Sequence, residues 1–588
     1  MNNLSQFWQE LMRRKVVRVI TVYAAAAFVI LELVDIITEP FGLPNWTLKL
    51  VVVLLSIGLI VSIILSWIYD IKPEGGLEKT QPANELKEEV KQFTSSSWRL
   101  VSYISFIVII AFIVYNVLSS GNKPAASSNL EKSIAVLPFA NLSEDRGNEH
   151  FADGLVEDLL NRISVIEELK VISRTSSEMY RERGIKSIPE IAGELNVSYI
   201  LEGSVQRYGA KARITVQLID AINDDHIWAE IYDRDIVDIF NTQSEIAMHI
   251  ASELNSILTS AQKTHILESK TENVQAFEFY QMGRFYWNKR TLEGSITSIE
   301  YFEKAIEEDP GYGLAVAGLA DTYAIMAALG WMDRQDGLDK GEELAFKALE
   351  LDGNLAEAFA VLGIIYELYW DWEKAEEAFK RALELNPNYS IGHEYYAHVL
   401  MSTRREEEAR KHIDKALELD PLSFIIRLVS ARFYYHTELY SKALEELQKC
   451  SEFEINHPVI PYKEMVNYLQ LGDDKNAFIA LRKWLNLSAI YDLETADKIY
   501  KTDGIIAVLK WKIKIDTKNA GNKIGSYYLL ADSYGIIGED EEALDWLEKA
   551  YESHETTQMH WNRHFKNLHT HPRYIAILNG MGLNLLID

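Results

Sequence analysis

The sequence predicts a mainly α-helical protein built of three transmembrane helices, a small α/β domain and an α-solenoid of stacked helix pairs. Small residues recur every 34 positions in the second half, three long apolar segments occupy the first 120 residues, and apolar runs between them alternate in strand and helix patterns. We therefore divide the chain into a membrane anchor at 1–120, a linker at 121–132, an α/β domain at 133–260 and a solenoid at 273–588 that ends in a capping helix.

The 34-residue spacing connects small residues that hold the same place in successive helix pairs. The related positions are Gly363 and Ala397, Ala375 and Ala409, and Ala382 and Ala416. This is the period of tetratricopeptide (TPR) repeats, in which two antiparallel helices touch at small residues because only these let the backbones approach closely. We expect about seven such units, and the unit at 355–388 fits the pattern best.

Large residues and prolines complete each unit, since a proline after the second helix cannot continue it. The residues that we expect to pack the repeats are Gly363, Tyr366, Ala375, Phe379, Ala382, Pro387, Ala397, Ala409, Ala416 and Pro421. Stacked repeats leave a concave groove, which in this architecture receives a protein or peptide partner. Aromatic residues are frequent in these helices, and the sequence does not show which of them line the groove.

Three apolar segments each have about the 20 residues that are needed to cross a hydrocarbon core. They are 16–37, 48–69 and 100–118. Lys and Arg flank the first segment and fill residues 70–99, whereas residues 38–47 have none. The positive-inside rule then places the N-terminus in the cytoplasm and residues 119–588 on the extracytoplasmic side.

Charged residues add two expectations. Glu32 and Asp35 lie near the outer end of the first apolar segment, where carboxylates either take part in proton or ion movement or are solvated at the interface. The formal net charge of −28 belongs entirely to residues 121–588, because residues 1–120 hold equal numbers of basic and acidic side chains. Such an acidic portion disfavours nucleic acid as a partner, since phosphates are bound by clustered Lys and Arg.

The region between anchor and repeats alternates strand and helix patterns. The predicted strands are 133–139, 169–173, 199–207, 212–221 and 226–234, and the predicted helices are 149–164, 188–195 and 236–258. Turn-forming residues separate the last three strands, so we expect them to be consecutive and antiparallel.

Several short segments of the sequence resemble those of a known family. SIAVLPFANLSED, FADGLVEDLLNRIS, ISRTSS, YILEGSVQR, ITVQLIDA and IWAEIYDRD resemble the TolB-like N-terminal domain family, which is related to FlgO-type envelope domains. ELMRRKVVRV, LPNW and YDIKPEGG resemble the membrane leader of bacterial proteins that join such a domain to TPR repeats, and HPRYIAILNGMGL resembles their terminal helix. The resemblance implies a bacterial inner-membrane protein whose residues 119–588 are periplasmic.

The resemblance also limits the function. Relatives of this architecture carry a nucleotide-cyclase domain or a winged-helix DNA-binding domain before the TolB-like part. Apolar segments take that place here, and a connection of about 30 residues is too short for either domain. A cyclase label transferred by overall similarity would therefore be wrong, and the TolB-like domain itself implies protein interaction or envelope assembly.

Motifs for chemistry are absent from the sequence, so we predict no catalytic, cofactor-binding or metal-binding residue and no enzyme activity. Neither a Walker A motif, G-x-G-x-x-G, G-x-S-x-G nor C-x-x-C occurs. Cys450 is the only cysteine, which excludes an internal disulfide and indicates packing.

For two clusters of residues, one of histidines and one of aspartates, a metal or cation site is the alternative to a structural role. The histidines are His554, His560, His564, His569 and His571, and the acidic residues of one hairpin are Asp220, Asp224, Asp225, Asp233 and Asp235. His560 and His564 would share a helix face, but Trp561 stands where a zinc protease has its glutamate. Packed histidines and an acidic turn are the interpretations that we favour.

The function that these observations favour is a membrane-tethered scaffold whose TPR groove and TolB-like domain recruit an extracytoplasmic partner. The alternative is an envelope sensor in which the TolB-like domain binds a ligand and signals through the transmembrane helices. The identity of the partner and the oligomeric state do not follow from the sequence.

Overall fold

The computed structural model describes most of the chain after residue 131. It covers 132–588 except 144–148, 182–185, 454–456, 489, 520–525, 556–561 and 584–588, and before that 69–72, 76–79 and single positions between 19 and 62. The chain forms two compact units, Met1–Lys123 and Pro124–Asp588. In the first unit, strands β1 (Tyr69–Lys72) and β2 (Gly76–Lys79) pair antiparallel.

The prediction of three transmembrane helices is wrong, because no helix in the described part of the chain is both long and apolar enough to cross a membrane. Residues 100–118, together with Glu32 and Asp35, lie outside the described residues, and only scattered positions of 16–37 and 48–69 are described. Tyr69, the last residue of the predicted second helix, begins strand β1. The prediction rested on apolar composition, which shorter buried helices and strands share.

The second unit begins with a six-stranded sheet and five helices. The strands are β3 Lys132–Val136, β4 Ala140–Asn141, β5 Leu169–Val171, β6 Tyr199–Tyr208, β7 Lys211–Asp220 and β8 Asp225–Asp235. The helices are α1 Glu149–Ser164, α2 Arg174–Glu178, α3 Ile188–Leu195, α4 Ile239–Glu253 and α5 Ser260–Leu267. The order across the sheet is β5-β3-β6-β7-β8, with β4 beside β6. Strand β3 runs parallel to both neighbours, and β6, β7 and β8 are antiparallel.

The two faces of this sheet are covered unequally. Helices α1 and α4 cover one face, where Leu159 and Ile250 belong to the same buried core as Val216 of β7. Helix α3 covers only part of the other face, and its Leu195 shares a smaller core with Ile200 of β6. The alternation of buried and accessible residues along β7 follows from this arrangement, because successive side chains of a strand point to opposite faces.

Helices fill the remainder of the second unit. They are α6 Val274–Asn288, α7 Leu292–Glu308, α8 Gly313–Ala328, α9 Arg334–Leu351, α10 Ala356–Leu368, α11 Trp372–Leu385, α12 Ser390–Ser402, α13 Glu406–Leu419, α14 Phe424–His436, α15 Tyr440–Phe453, α16 Val459–Gln470, α17 Asp474–Asn486, α18 Leu493–Asn519, α19 Ser526–Ile536, α20 Asp540–Glu552 and α21 Pro572–Gly580. Helices α6 to α17 pair in chain order, α19 pairs with α20, and Gly504 kinks α18.

The 34-residue period also appears in the backbone between the two helices of a pair. Trp370, Arg404, Glu438 and Gly472 are each 34 residues apart, and all have φ between 58° and 71°. A Schellman motif satisfies the last helical carbonyls there, as the Asp371 N–H shows by donating to the Tyr366 carbonyl at 2.9 Å. Three non-glycine residues thus adopt the left-handed region at a helix end, where these hydrogen bonds offset the strain.

The predicted packing residues lie in or beside the helix contacts. Ala375, Ala382, Ala397, Ala409, Ala416 and Phe379 are fully buried, Tyr366 is half-buried, and Pro387 and Pro421 follow the ends of α11 and α13. At Gly363 a methyl group would lie 2.7 Å from the Phe379 ring, so no larger residue fits without displacing that ring. Cys450 is buried and free of any disulfide.

Substituting Ala375 or Ala409 by Trp should destabilise the protein by about 1–3 kcal/mol or more, because a large ring overpacks the contact between two helices. Chemical denaturation of the purified protein measures this change. Glu377→Trp is the matched control, since Glu377 is exposed on the same helix as Ala375. Equal stability of the Ala375, Ala409 and Glu377 variants would show that the alanines are not at tight contacts.

Candidate functional site

The α/β domain is fixed to the repeats through the loops that follow their second helices. Equivalent positions 309, 352 and 420 in three of these loops carry aspartates. Thr271 donates to Asp309 at 2.6 Å, and Lys270 forms an ion pair with Asp352 at 2.9 Å. Because the contacts come from several repeats in a row, they set the orientation of the sheet relative to the stack.

Asn388 closes the outer edge of strand β5. Its side-chain oxygen accepts from the Val171 N–H at 3.2 Å, and its side-chain nitrogen donates to the Leu169 carbonyl at 2.9 Å and the Ser164 carbonyl at 2.8 Å. One amide thus makes the two bonds that a neighbouring strand would make at an open sheet edge. Asn354 holds the equivalent position 34 residues earlier, and its side chain is exposed. The contact with strand β5 is therefore specific to the loop that carries Asn388.

Asp420 makes the next contact along this edge. Ser176 of α2 donates its hydroxyl to the Asp420 carboxylate and accepts from the Leu422 N–H at 2.9 Å, and the Ser173 N–H donates to the Leu419 carbonyl at 2.8 Å. Burial raises the pKa of Asp420 to about 6, although hydroxyl and backbone donors of α2 act in the opposite direction. The docked state therefore holds this proton more tightly than a solvated aspartate does.

A buried ion-pair cluster joins α1 to the first repeat helix. Glu157 lies 3.0 Å from Arg174 and 3.5 Å from Arg284 of α6. Burial raises the pKa of Glu157, but the two guanidinium groups outweigh it and hold the pKa below its ordinary value. The carboxylate is therefore charged in the docked protein, and removal of either partner would leave a buried charge incompletely compensated.

The candidate partner-binding site lies along the first helices of the pairs. In six of the first helices, α6, α8, α10, α12, α14 and α19, the residue that directly follows the small residue belongs to a set that we call the inner row. It consists of Arg284, Asp321, Ile364, His398, Arg432 and Asp532. Neighbouring members approach one another, as Arg432 Nη2 and His398 Nε2 do at 2.6 Å. The concave surface of a repeat stack is therefore polar and charged here.

The inner row lies in a covered part of the stack, which we call the crevice. Helices α10 and α12, which are described at every residue, have no exposed side chain, whereas the second helices α11 and α13 expose charged residues along one face. Within the inner row, Asp321, His398 and Arg432 are partly exposed.

Burial controls the charges in the middle of the inner row. It raises the pKa of Glu394 to about 7 against the opposing influence of Arg432 and Arg290. It also lowers the pKa of His398 well below its ordinary value, so the imidazole is neutral and its Nε2 accepts from Arg432. His398 Nε2 and the Glu394 carboxylate are 3.3 Å apart. The Arg432 guanidinium and the Glu394 carboxyl, whose pKa is about 7, thus both lie close to Nε2 of His398.

The C-terminal helices pack back onto the repeats. Asp532 of α19 accepts from Asn562 at 2.7 Å, from His564 at 2.6 Å and from the Tyr462 hydroxyl of α16, and His564 Nε2 bonds the Tyr435 hydroxyl at 2.6 Å. On another repeat, the Trp372 indole N–H donates to the Met581 carbonyl at 2.7 Å. The contacts of Tyr435 with His564 and of Trp372 with Met581 join residues that are 129 and 209 positions apart in the chain.

The histidines of the C-terminal region serve these contacts separately. His564 bonds Asp532, His554 stacks on Trp370 at 4.2 Å between ring centroids, and His569 stacks on Tyr574 at 5.6 Å. His571 caps α21 by accepting from the Arg573 N–H, and His560 lies outside the described residues. No group of three or more metal-ligating side chains comes together within the described ranges.

The acidic hairpin residues have structural roles as well. Asp220 accepts from the N–H groups of Ile222 and Asn223 at the turn, and Asp224 has a φ of 56° there. Asp233 forms an ion pair with Arg213 across the strands at 2.8 Å. The sequence singled out these aspartates because five of them lie close together around one hairpin. In the structure they are divided between a turn and a pair of strands.

Asn388→Ala should destabilise the protein by at least about 2 kcal/mol, because it leaves buried backbone groups of β5 and α1 without hydrogen-bond partners. Chemical denaturation measures the loss. Asn354→Ala is the control at the equivalent, exposed position of the preceding loop and should change the free energy of unfolding little. Similar effects of the two variants would contradict a specific role of Asn388.

Asp420→Asn should change the pH dependence of stability. A folded pKa near 6, above the ordinary 3.8, means that stability falls as pH rises from about 4 to about 6 and then levels off. The asparagine cannot ionise, so the melting temperature of the variant relative to the parent should rise over that range. Thermal melts at pH 4, 5, 6 and 7 measure it, with Asp414→Asn at an exposed site as control. A constant difference at all pH values would contradict the buried-carboxyl explanation.

The matching family models divide the chain in the same way as the structure. Residues 130–248 match a model described as HilA/YgeH-like transcriptional regulator, second domain. Residues 356–389, 396–421 and 524–555 match models described as tetratricopeptide repeat. The description for the α/β region is thus that of the HilA type and does not carry the TolB-like name.

Two curated relatives and one solved structure show related segments. The chain is 31% identical over 261 residues to "Putative adenylate cyclase 3" of Rhizobium meliloti, which covers 44% of each chain. It is 23% identical over 316 residues to "Transcriptional regulator HilA" of Salmonella typhimurium, with 53% of this chain and 56% of that one covered. The structure of Pseudomonas aeruginosa PilF is 16% identical, covers 41% of this chain and 97% of that chain, and has a TM-score of 0.30.

The chain spans about half the length of the curated relatives that it matches. Their names differ from one another, so the shared segments fix neither an activity nor a partner. The repeat models agree with the 34-residue spacing and with the helix pairs of the structure. The prediction of TPR repeats is confirmed: the chain contains tetratricopeptide repeats.

Proposed function

We propose that this protein is an interaction scaffold and that the inner row of its repeats binds an extended segment of a partner protein. The observation that carries the proposal is the inner row itself. Ionisable side chains hold the same position in five of the first helices, α6, α8, α12, α14 and α19, and those of the first four belong to partly exposed residues. Tetratricopeptide repeats use their concave surface to bind proteins or peptides.

The charges of the crevice select the kind of segment. Arg284, Asp321 and Arg432 present both signs along one line, and Glu394 adds a carboxyl with a pKa of about 7. A segment with acidic and basic side chains in alternation would complement this line, since complementary charges determine register and exclude other partners. Nucleic acid does not fit, because residues 121–588 carry the whole net charge of −28.

The finer parts of the function stay proposals. The TolB-like character of residues 133–260 is supported by the sequence segments quoted above, and the extracytoplasmic location of residues 119–588 stays a prediction from the sequence. The activity in the name of the Rhizobium meliloti relative is not part of the proposal, since the sequence has no glycine-rich loop that would hold phosphates.

Site-specific photo-crosslinking tests the proposal in cells that make the protein. A photoreactive phenylalanine analogue replaces Asp321 in the inner row, and in a second variant it replaces Lys380, which is exposed on the second helix α11. The inner-row variant should form a discrete crosslinked product with a partner that the Lys380 variant does not capture. Arg432→Gln in the Asp321 background should reduce this product severalfold, because it removes a buried charge next to the bound segment.

Arg381→Gln provides the matched control for charge removal, since Arg381 is exposed on α11 and pairs only with the nearby Glu384 among the described residues. Circular dichroism and melting temperature show whether each variant is folded. Identical products from positions 321 and 380, or products unaffected by Arg432→Gln in a folded variant, would contradict binding along the inner row.

A further inference from the structure

A second cavity lies away from the inner row, where the α/β domain meets the first helix pair. Its volume is about 270 Å³, slightly below the about 300–1,000 Å³ of typical ligand pockets. We call it the junction cavity. It is lined by His150, Phe151 and Arg207 of the α/β domain and by Gln275, Phe277, Glu278, Phe279, Gln281, Met282 and Tyr301 of helices α6 and α7.

Two polar side chains in the wall of the junction cavity have hydrogen-bonding atoms without a partner among the described residues. Nδ1 of His150 is buried and makes no hydrogen bond to any described residue. Gln281 is only 5% exposed, and within the described part of the chain its amide makes no hydrogen bond either. A polar side chain in a cavity wall that has no protein partner is a hydrogen-bonding site for a molecule that enters the cavity.

Gly154 makes room for one of these groups. A methyl group at position 154 would lie 2.5 Å from Cγ of Gln281, so the glycine in the middle of α1 lets the Gln281 side chain lie against that helix. A glycine inside a helix costs about 1 kcal/mol relative to alanine. The sequence therefore gives up helix stability at the place where it admits a polar side chain to the cavity wall.

The remaining walls define the chemistry of an occupant. Phe151, Phe279 and Tyr301 supply aromatic surface, and the Phe279 and Tyr301 rings are 6.3 Å apart between centroids. The charges of Arg207 and Glu278 neutralise each other through an ion pair at 2.5 Å. Aromatic walls favour a planar ring, and a balanced ion pair offers no net charge to an ionic ligand.

We propose that the junction cavity binds a small, uncharged, planar heteroaromatic molecule that hydrogen-bonds Gln281 and His150. The volume of the cavity accommodates one ring system with a carboxamide or amino group. Because the walls belong to both the α/β domain and the repeats, the ligand stabilises their docked arrangement. This site is separate from the inner row, and its test does not depend on the scaffold function.

Adenine and nicotinamide are the probes, because both are neutral and planar and carry donors and acceptors at the ring edge. Saturation-transfer NMR and thermal melts of the purified full-length protein measure binding at millimolar concentrations. At least one probe should raise the melting temperature with concentration, as mass action requires. Cyclohexanecarboxamide, which is not planar, and benzoate, which is charged, should not.

Gln281→Leu tests the amide directly. It keeps the volume of the side chain, removes the unpartnered polar atoms and should weaken probe binding about tenfold, which corresponds to one lost hydrogen bond. Gln243→Leu is the matched control: Gln243 is fully buried in the α/β domain, its amide also lacks a partner among the described residues, and it does not line the cavity. The control should leave probe binding unchanged.

Two results would overturn the proposal. The first is an absence of binding of both probes to the folded parent protein at 10 mM, a concentration that detects even weak fragments (about 3 kcal/mol). The second is equal binding to the parent and to Gln281→Leu. Melting temperatures of the variants separate these results from misfolding, since loss of an unpartnered buried amide should not lower stability.

Discussion

The amide of Asn388 makes the hydrogen bonds that strand β5 would otherwise lack at its outer edge. An open sheet edge is a template for pairing with other chains, and natural proteins cover or distort such edges. Here a loop of the repeat stack covers the edge, with one bond to the Val171 N–H and one to the Leu169 carbonyl. The α/β domain and the repeats are consequently parts of one folding unit, and the sheet cannot leave the stack without exposing backbone groups.

This docking determines where both candidate sites lie. With the sheet held on the loops after the second helices, α1 lies against α6 and places Glu157 beside Arg284, the first member of the inner row. The same approach forms the junction cavity between Phe151 and Phe279. Burial is costly for the charged groups at this interface, as the raised pKa of Asp420 shows. Hydrogen bonds from Ser176 and its neighbours offset part of that cost. The polar contacts therefore determine where the domain docks on the repeats more than they increase the net stability.

The sequence predicted what depends on local pattern and missed what depends on distant contacts. The 34-residue period identified the helix pairs because small residues such as Gly363 and Ala397 are required wherever two helices touch. The pairing of His564 with Asp532 could not be predicted, because nothing in a repeat unit indicates which helices meet when the stack closes on itself. The prediction of transmembrane helices was wrong for another reason: apolar composition was taken as sufficient evidence of a long helix.

Closure of the stack explains why the inner row is polar. Tyr435 of the first helix α14 contacts His564 in the C-terminal region, so an aromatic side chain that an open groove could offer to a partner is used within the chain. Asp321, His398 and Arg432 are among the residues of the first helices that stay partly exposed. In such a crevice the local dielectric is low, so a matched charge is attracted strongly and an unmatched charge or an apolar segment leaves these groups desolvated without compensation. On the proposed function, the stack would therefore discriminate between partners by charge pattern, and few side chains would be enough because neighbouring residues already hold them in place.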